Sequence, residues 1–386
     1  MKQGGGAARV VGGAVRDAIL NHQNYDIDIV TNLLPQQTIK ILSKSNIQAL
    51  PTGAKYGTVT AFLNKEKFEI TTLRKDVQTD GRYASVMFTD DFFQDAARRD
   101  FTINALSYCP FEHKVYDYFN GLQDLQESKV RFIGQAYKRI QEDCLRILRF
   151  FRFSCYYAKQ LDSNGLNACV ELKENLRFLS KERIKWEMDK LLIAVNSPNI
   201  LQQMFNVMIL QLIFPITKFD QTILLRAITL SKQIGGLKLY HIYSLLFYHI
   251  PNLQLRDLLD LKFSRQEASK IISMIKLINT ELLAVNTHIL RKIWLENSDY
   301  LQCINILVAL DKLELRVAQK FITDYSLLKP RPIFPLNGHD LHIRNIHGKV
   351  IGNLIDRLKK LWIDSDFMLT REQLLNMLEN EHENYY

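Results

Sequence analysis

Along roughly the first 120 residues, short apolar runs alternate with polar turns. Val10–Val11 and Ile27–Thr31 read as short strands, and Ala14–Leu20 between them as a helix. "GTVTAFL" and "KFEITTLR" predict a strand pair around a polar turn at Asn64–Lys67. "TDGRYASVMFTDD" is polar and contains glycine, which predicts a loop. "FTINALSY" predicts a helix, and "KVYDYFNG" a strand ending in a turn. From about Gln135 the strand signals fade and apolar residues recur at helical spacing, as in "DCLRILRFFRFSCYYA", "KERIKWEMDKLLIAV", "NILQQMFNVMILQLIF" and "HIYSLLFYHI". Pro215, Pro251, Pro330, Pro332 and Pro335 punctuate this part. There is no internal repeat and no low-complexity run beyond Gly4–Gly6. The expected fold class is α+β: a small N-terminal head with a mixed β-sheet and helices, then a long all-helical remainder.

Composition narrows this little. The 386 residues suit two to four domains, and 47% hydrophobic with 24% charged residues is ordinary for a globular chain. No apolar run is long enough for a membrane span, and no secretory signal is expected at the N-terminus. Structured sequence near Arg9 also leaves no room for an organelle presequence. Cys109, Cys144, Cys155, Cys169 and Cys303 show no CxxC spacing, which argues against zinc or a disulfide framework and for a reducing, cytoplasmic setting. The formal charge of +9 favours a polyanionic partner such as nucleic acid, although many basic proteins bind none.

Chemistry concentrates in two places. In "VVGGAVRDAILNHQNYDIDIVT", Gly12 and Gly13 follow a strand and open a helix. Glycines there let a phosphate approach the backbone, next to free helix N–H groups and to Arg16. Asp26 and Asp28 stand two apart on the next expected strand, so their carboxylates share a face while Ile27 points to the core. Adjacent carboxylates repel unless a cation joins them, and Mg²⁺ suits such hard oxygen ligands. Glu69 is a candidate third carboxylate. A solvated strand edge with a capping glycine pair accounts for the same residues, and an exposed strand residue accounts for Glu69.

The second place is arginine-rich. "ARRDFTINAL" sets Arg98, Arg99 and Asp100 before an apolar segment, as a phosphate contact with a helix cap or as a surface ion-pair cluster. In "EDCLRILRFFRF", Asp143, Arg146, Arg149 and Arg152 recur every three residues and form one ridge on an otherwise apolar helix. Glu142 and Asp143 supply only two counter-charges, and a triphosphate would supply the rest. Asp143 accepts hydrogen bonds and Arg146 donates them. Cytosine and adenine each present an amino donor beside a ring acceptor, whereas uracil and guanine present an oxygen to the aspartate. The pair would therefore accept C and A and reject U and G. A salt-bridged helix packed on its neighbours is the plain alternative.

In this order, "GGAVRDAIL…YDIDIVT", "RRDFTINAL", "FNGLQDLQESKVRFIG", "EDCLRILRFFRF" and "KERIKWEMDKLL" resemble the class II tRNA nucleotidyltransferases, the CCA-adding enzymes, with which bacterial poly(A) polymerases form one group. The motif series spans about residues 10–195, and "NGHDLHIRNIHGKVIGNLIDRLKKLWIDSDFMLTREQLL" looks like the family's C-terminal segment. The resemblance implies a catalytic nucleotidyltransferase head over 1–134, a nucleotide-selecting helical neck over 135–195, a helical body over 196–275 and a tRNA-binding helical tail over 276–386. It implies Mg²⁺ held by Asp26 and Asp28, and nucleotide contacts from Gly13, Arg16 and Arg99. It also implies base templating by Asp143 and Arg146, with Arg149 and Arg152 completing the nucleotide pocket. The implied reaction adds C, C and A from CTP and ATP to the tRNA 3′ end, with no membrane and no obligatory protein partner. Poly(A) addition is the alternative within the group, and an RNA-binding protein with a dead head is disfavoured by the intact DxD and RRD elements. "DGRYASVMF" matches the flexible loop needed to switch from C to A. The chain departs from the family at Cys144, where the motif usually has proline, in its short Gly-rich leader, and in the tail turn "NIHGKVIG". The tail histidines of "GHDLHIRNIH" are not expected to bind metal.

Overall fold

The computed structural model describes residues 5–23, 26–80, 83–279, 287–326, 331–337, 339–340 and 349–382. It divides into two compact units, Met1–Phe219 with Asp260–Phe263, and Asp220–Leu259 with Ser264–Tyr386.

The first unit begins with β1 (Ala8–Val11), α1 (Gly13–Ile19), β2 (Asp28–Thr31), α2 (Pro35–Lys44), β3 (Gln48–Gly53), β4 (Thr58–Leu63) and β5 (Glu66–Thr72). After these come β6 (Arg74–Asp80), β7 (Tyr83–Phe88), α3 (Phe92–Ala97), β8 (Ser107–Cys109), β9 (Lys114–Tyr116) and α4 (Gly121–Gln126). Seven strands form one sheet in the order β3-β4-β5-β2-β1-β8-β9. The β2–β5 pair is parallel, and the other neighbours are antiparallel. Alternation in β4 and β5 buries Ala61 and Ile70 against Leu42 of α2. The β4–β5 turn is tight because Asn64 and Lys65 both take positive φ, the conformation that two-residue hairpin turns demand.

Three local expectations change. "TDGRYASVMF" is largely a two-stranded ladder, β6 with β7, rather than a loop; residues 81–82 lie outside the described residues. "FTINALSY" is a short 3-10 turn over Thr102–Asn104 followed by β8, not a helix. Its helical pattern loses to tertiary pairing: Thr102 N–H donates to Arg131 O at 3.0 Å, Thr102 Oγ1 donates to Asp124 at 2.6 Å, and Ser107 pairs with Val11. Strand β2 starts at Asp28, so Asp26 precedes it and alternation alone does not fix its side chain.

The helical part of this unit comprises α5 (Ala136–Glu142), α6 (Leu145–Tyr157), α7 (Ser163–Leu172), α8 (Lys181–Leu192), α9 (Ser197–Asn206) and α10 (Ile209–Ile213). Helix α6 is apolar around most of its girth because it is held on several sides. Phe150 stacks on Phe132 with ring centroids 5.5 Å apart, and Phe101 lies against Phe132 and Phe153 at 4.9 and 5.3 Å. These rings fix the register of α6 on the segment that carries Asp100.

The second unit contains, among the described residues, α11 (Gln221–Ser231), α12 (Leu239–Phe247), α13 (Leu255–Asp260), α14 (Arg265–Asn279), α15 (Thr287–Glu296), α16 (Tyr300–Ala309), α17 (Leu315–Ser326), α18 (Lys349–Asp364) and α19 (Arg371–His382). Leu336, Leu358, Trp362, Ile363, Leu374 and Leu375 form one of its cores. His339 is described, whereas most of "GHDLHIRNIH", and Gly348 of the tail turn, lie outside the described residues. No described helix is long and apolar enough to cross a membrane.

Candidate active site

One cavity of about 600 Å³ in the first unit gathers most of the candidate residues. Gly12, Gly13, Arg16, Asp28, Arg99, Asp143, Arg146, Arg149 and Arg152 all line it, with Arg98, Asp100, Arg183 and Lys190. Cations outnumber carboxylates on this surface, so it suits a polyphosphate.

The glycine turn is shaped by the site itself. Gly12 has φ +68°, and a Cβ there would meet the Arg99 guanidinium at 2.9 Å. Only glycine satisfies both the backbone and this approach. Helix α1 is only seven residues long. Arg16, expected as a phosphate arm, is buried and held tightly. Its Nε and Nη2 donate to Asp17 at 2.8 and 2.9 Å, its Nη1 donates to Asn104 Oδ1 at 2.5 Å, and its guanidinium lies 4.1 Å from the Tyr157 ring centroid. Arg99 donates to Asp95 and to Asn104 O, both at 3.3 Å.

Asp28 opens β2 opposite Val11 and in register with Glu69 of the parallel strand. Desolvation, then the carboxylates of Asp26 and Glu69, raises its pKa above the ordinary carboxylate value, and Arg99 and Lys67 oppose the rise. The donor chemistry fits a divalent cation, which takes one or two carboxylates and leaves positions for substrate phosphates. Glu69 turns to Lys67 Nζ at 2.6 Å. Among the described residues no three His, Cys, Asp or Glu side chains gather as a ligand set. Asp26, Asp28 and Glu69 are therefore not assembled as a triad.

The arginine ridge is real, but two expectations about it change. Asp143 is not on the helix: its backbone is extended between α5 and α6, and its Oδ1 accepts from Leu145 N at 3.1 Å as a cap. The arginines also have more counter-charges than Glu142 and Asp143. Arg149 Nε donates to Asp100 Oδ2 at 2.7 Å, Arg152 Nε to Glu187 Oε2 at 2.5 Å, and Arg146 Nη1 to Glu142 Oε2 at 2.5 Å. Asp143 Oδ2 accepts from Arg183 at 2.8 Å. A triphosphate is not needed to neutralise the ridge. Burial works to raise the Asp100 pKa, but Arg149 and hydrogen bonds from Asn104 and Phe101 prevail and hold it below the ordinary value. Cys144 has φ −66°, an angle that proline also takes, so the departure at this position leaves the backbone path unchanged.

Sequence reasoning assigned no role to Asn104, Arg183, Glu187 or Lys190. The last three stand at i, i+4 and i+7 on α8, a spacing that marks one helix face. Asn104 gave no such signal, because its partners, Arg16 and Asp100, come from other elements.

Residues 8–131 match the family model of the poly A polymerase head domain, and residues 160–220 match that of a probable RNA and SrmB-binding site of polymerase A. The human mitochondrial CCA tRNA nucleotidyltransferase 1 is 34% identical over 397 residues, covering 96% of this chain and 86% of that protein. A solved structure of the Bacillus stearothermophilus CCA-adding enzyme in complex with CTP shares the fold with a TM-score of 0.78 at 24% identity, covering 99% of this chain and 96% of that one. The Thermotoga maritima CCA-adding enzyme complexed with tRNA_CCA does so with a TM-score of 0.69 at 20% identity, covering 98% and 92%.

Proposed function

The chain belongs to the family of CCA tRNA nucleotidyltransferases and poly(A) polymerases, and on that premise we propose that it adds C, C and A to the 3′ end of tRNA from CTP and ATP, releasing pyrophosphate. The observation that carries this reading is the single cavity that joins Asp28, at the start of the central strand β2, to the arginines of α6. One site then serves both the reacting phosphate and the base.

In this mechanism the tRNA 3′-hydroxyl oxygen attacks the α-phosphorus of the bound nucleotide, its proton passes to solvent water, and the bond to pyrophosphate breaks. Enzymes of this kind use a divalent metal; here Asp26 and Asp28 would hold Mg²⁺, which supplies polarisation of the α-phosphate and a lowered pKa for the attacking hydroxyl. Arg99, Arg149 and Arg152 face the developing negative charge from fixed positions, which is how preorganised donors lower a barrier. Arg16 acts with them through Asn104 and the Gly12–Gly13 turn. Asp143 and Arg146 read the base. Each Asp143 oxygen accepts one hydrogen bond in this structure, which leaves a second lone pair for an amino group of C or A. We retain the division into a head (1–134), neck (135–195), body (196–275) and tRNA-binding tail (276–386) as functional segments. The five free cysteines fit a reducing compartment; we assign the cytoplasm, which fractionation of cells tests because the human relative is named mitochondrial.

Purified protein given tRNA lacking CCA, with CTP, ATP and Mg²⁺, should add three nucleotides and stop. Long A tails without C would instead support poly(A) addition, and no incorporation would sink both readings. Asp143→Ala should relax discrimination of C and A against U and G by roughly 5- to 150-fold, from 1–3 kcal/mol per base contact, with tRNA binding retained. Unchanged selectivity would remove Asp143 from base reading.

A further inference from the structure

The chain has three tryptophans. Trp294 and Trp362 are each 2% exposed, whereas Trp186 is 61% exposed. Helix α8 turns Ile184, Glu187, Met188 and Leu191 inward, and Trp186 stands one turn before Lys190, at the border of the face that carries Arg183 and Glu187. Lys190 Nζ lies 4.4 Å from the Trp186 ring centroid, and the same lysine lines the active-site cavity. Tyr156 of α6 also lines that cavity and donates its hydroxyl to Lys190 O at 2.7 Å. Trp186, Lys190 and Tyr156 thus form a strip that adjoins the cavity and is partly open to solvent. Burial first, and then Arg152, lowers the Lys190 pKa, while Asp26 acts to raise it, so this ammonium feels both ends of the site.

The proposed reaction needs a second substrate beside the nucleotide. An RNA 3′ end must approach Asp26 and Asp28 while unpaired, because no template strand holds it. Single-stranded RNA is gripped by stacking on aromatic faces and by cations on its phosphates. Stacking tolerates any base, since every base has a π face. That tolerance is required here, because the terminal base changes after each addition. The positive lysine and the indole face complement a phosphate and a base, whereas the arginines deeper in the cavity are bonded to carboxylates.

We propose that Trp186, with Lys190 and Tyr156, is the platform on which the unpaired 3′ end of the acceptor RNA stacks during addition. This rests on the nucleotidyltransferase reading above and assigns the RNA side of the same site.

Steady-state addition of CMP to tRNA lacking CCA tests it. Trp186→Ala should raise KM for the tRNA roughly 5- to 100-fold, the range for loss of one base stack, with kcat and KM for CTP within about twofold of wild type. Trp186→Phe should recover most of the loss. A merely structural role would lower kcat or thermal stability instead of moving the RNA KM alone. Trp294 and Trp362 also emit but are buried from RNA, so the quench that belongs to Trp186 is the difference between wild type and Trp186→Phe. A short single-stranded RNA ending in CC should quench intrinsic fluorescence without nucleotide present, and Trp186→Phe should abolish the quench. An unchanged RNA KM in the alanine variant, or a quench that survives Trp186→Phe, overturns the platform. If wild-type protein adds no nucleotide, the function reading fails, and the quench still decides whether RNA stacks there.

Discussion

At the sheet end of the cavity, desolvation first, and then the carboxylates of Asp26 and Glu69, raise the pKa of Asp28 at the start of β2. At the helix end, Arg146, Arg149 and Arg152 each donate to a carboxylate, from Glu142, Asp100 and Glu187 respectively. One end keeps like charges under repulsion, and the other matches opposite charges. The first arrangement favours an incoming cation. The second leaves the arginines held in place before a nucleotide arrives, so their contribution to binding is position more than unsatisfied charge.

The sharpest way to break this contrast is to remove the repelling charge. Asp28→Ala should lower kcat for nucleotide addition by about 10³-fold, because electrostatic stabilisation of a phosphoryl transition state is worth several kcal/mol. CTP binding by calorimetry should fall far less, since the arginine end is intact. A kcat within tenfold of wild type would mean that Asp28 is not part of the chemistry.

At the helix end the matched pairs should matter first for stability. Glu187 is buried and receives Arg152 at 2.5 Å and Arg149 at 3.6 Å. Glu187→Gln leaves the largely buried Arg152 without its counter-charge, while Arg149 keeps Asp100, and breaking a buried pair costs about 3 kcal/mol or more. For a unit of this size that lowers Tm by roughly 6–12 °C. A shift under about 2 °C would show that solvent compensates the arginines, and the preorganised ridge would lose its basis.

These two ends were not equally legible in the sequence. Gly12, Gly13, Arg16 and Asp28 lie within one strand–turn–helix–strand passage, so spacing alone brought them together. The arginines of α6 were visible through their three-residue period. Their partners were not: Asp100 and Glu187 reach Arg149 and Arg152 across 49 and 35 residues, and nothing local announces such pairings. The same limit explains "FTINALSY", whose helical pattern was overridden by bonds to Arg131 and Asp124. It also explains the β6–β7 ladder, since a polar segment reads as a loop until a strand partner is known.

The smallest effect separates the two ends by the sign of their pH dependence. Asp100 has a folded pKa below its unfolded value, so its contribution is present above the unfolded pKa and is lost as pH falls through the folded one. Asp28 has the opposite shift, so its charged form works against the folded state at neutral pH, and protonation on acidification relieves that penalty. Asp28→Asn should therefore raise Tm at pH 7.5 in EDTA. Asp28 is partly exposed, so solvent screening keeps the gain under about 1 kcal/mol, or roughly 1–3 °C. The gain should shrink at acid pH below the ordinary carboxylate value of 3.8, where the wild-type carboxylate is protonated in both states. It should also shrink at pH 7.5 with saturating Mg²⁺, because a cation bound only to the folded wild type stabilises it by mass action. Differential scanning calorimetry of both proteins under the three conditions measures this. A variant that melts lower than wild type in EDTA at pH 7.5 would show that Asp28 is held by attraction, and the contrast between the two ends would collapse.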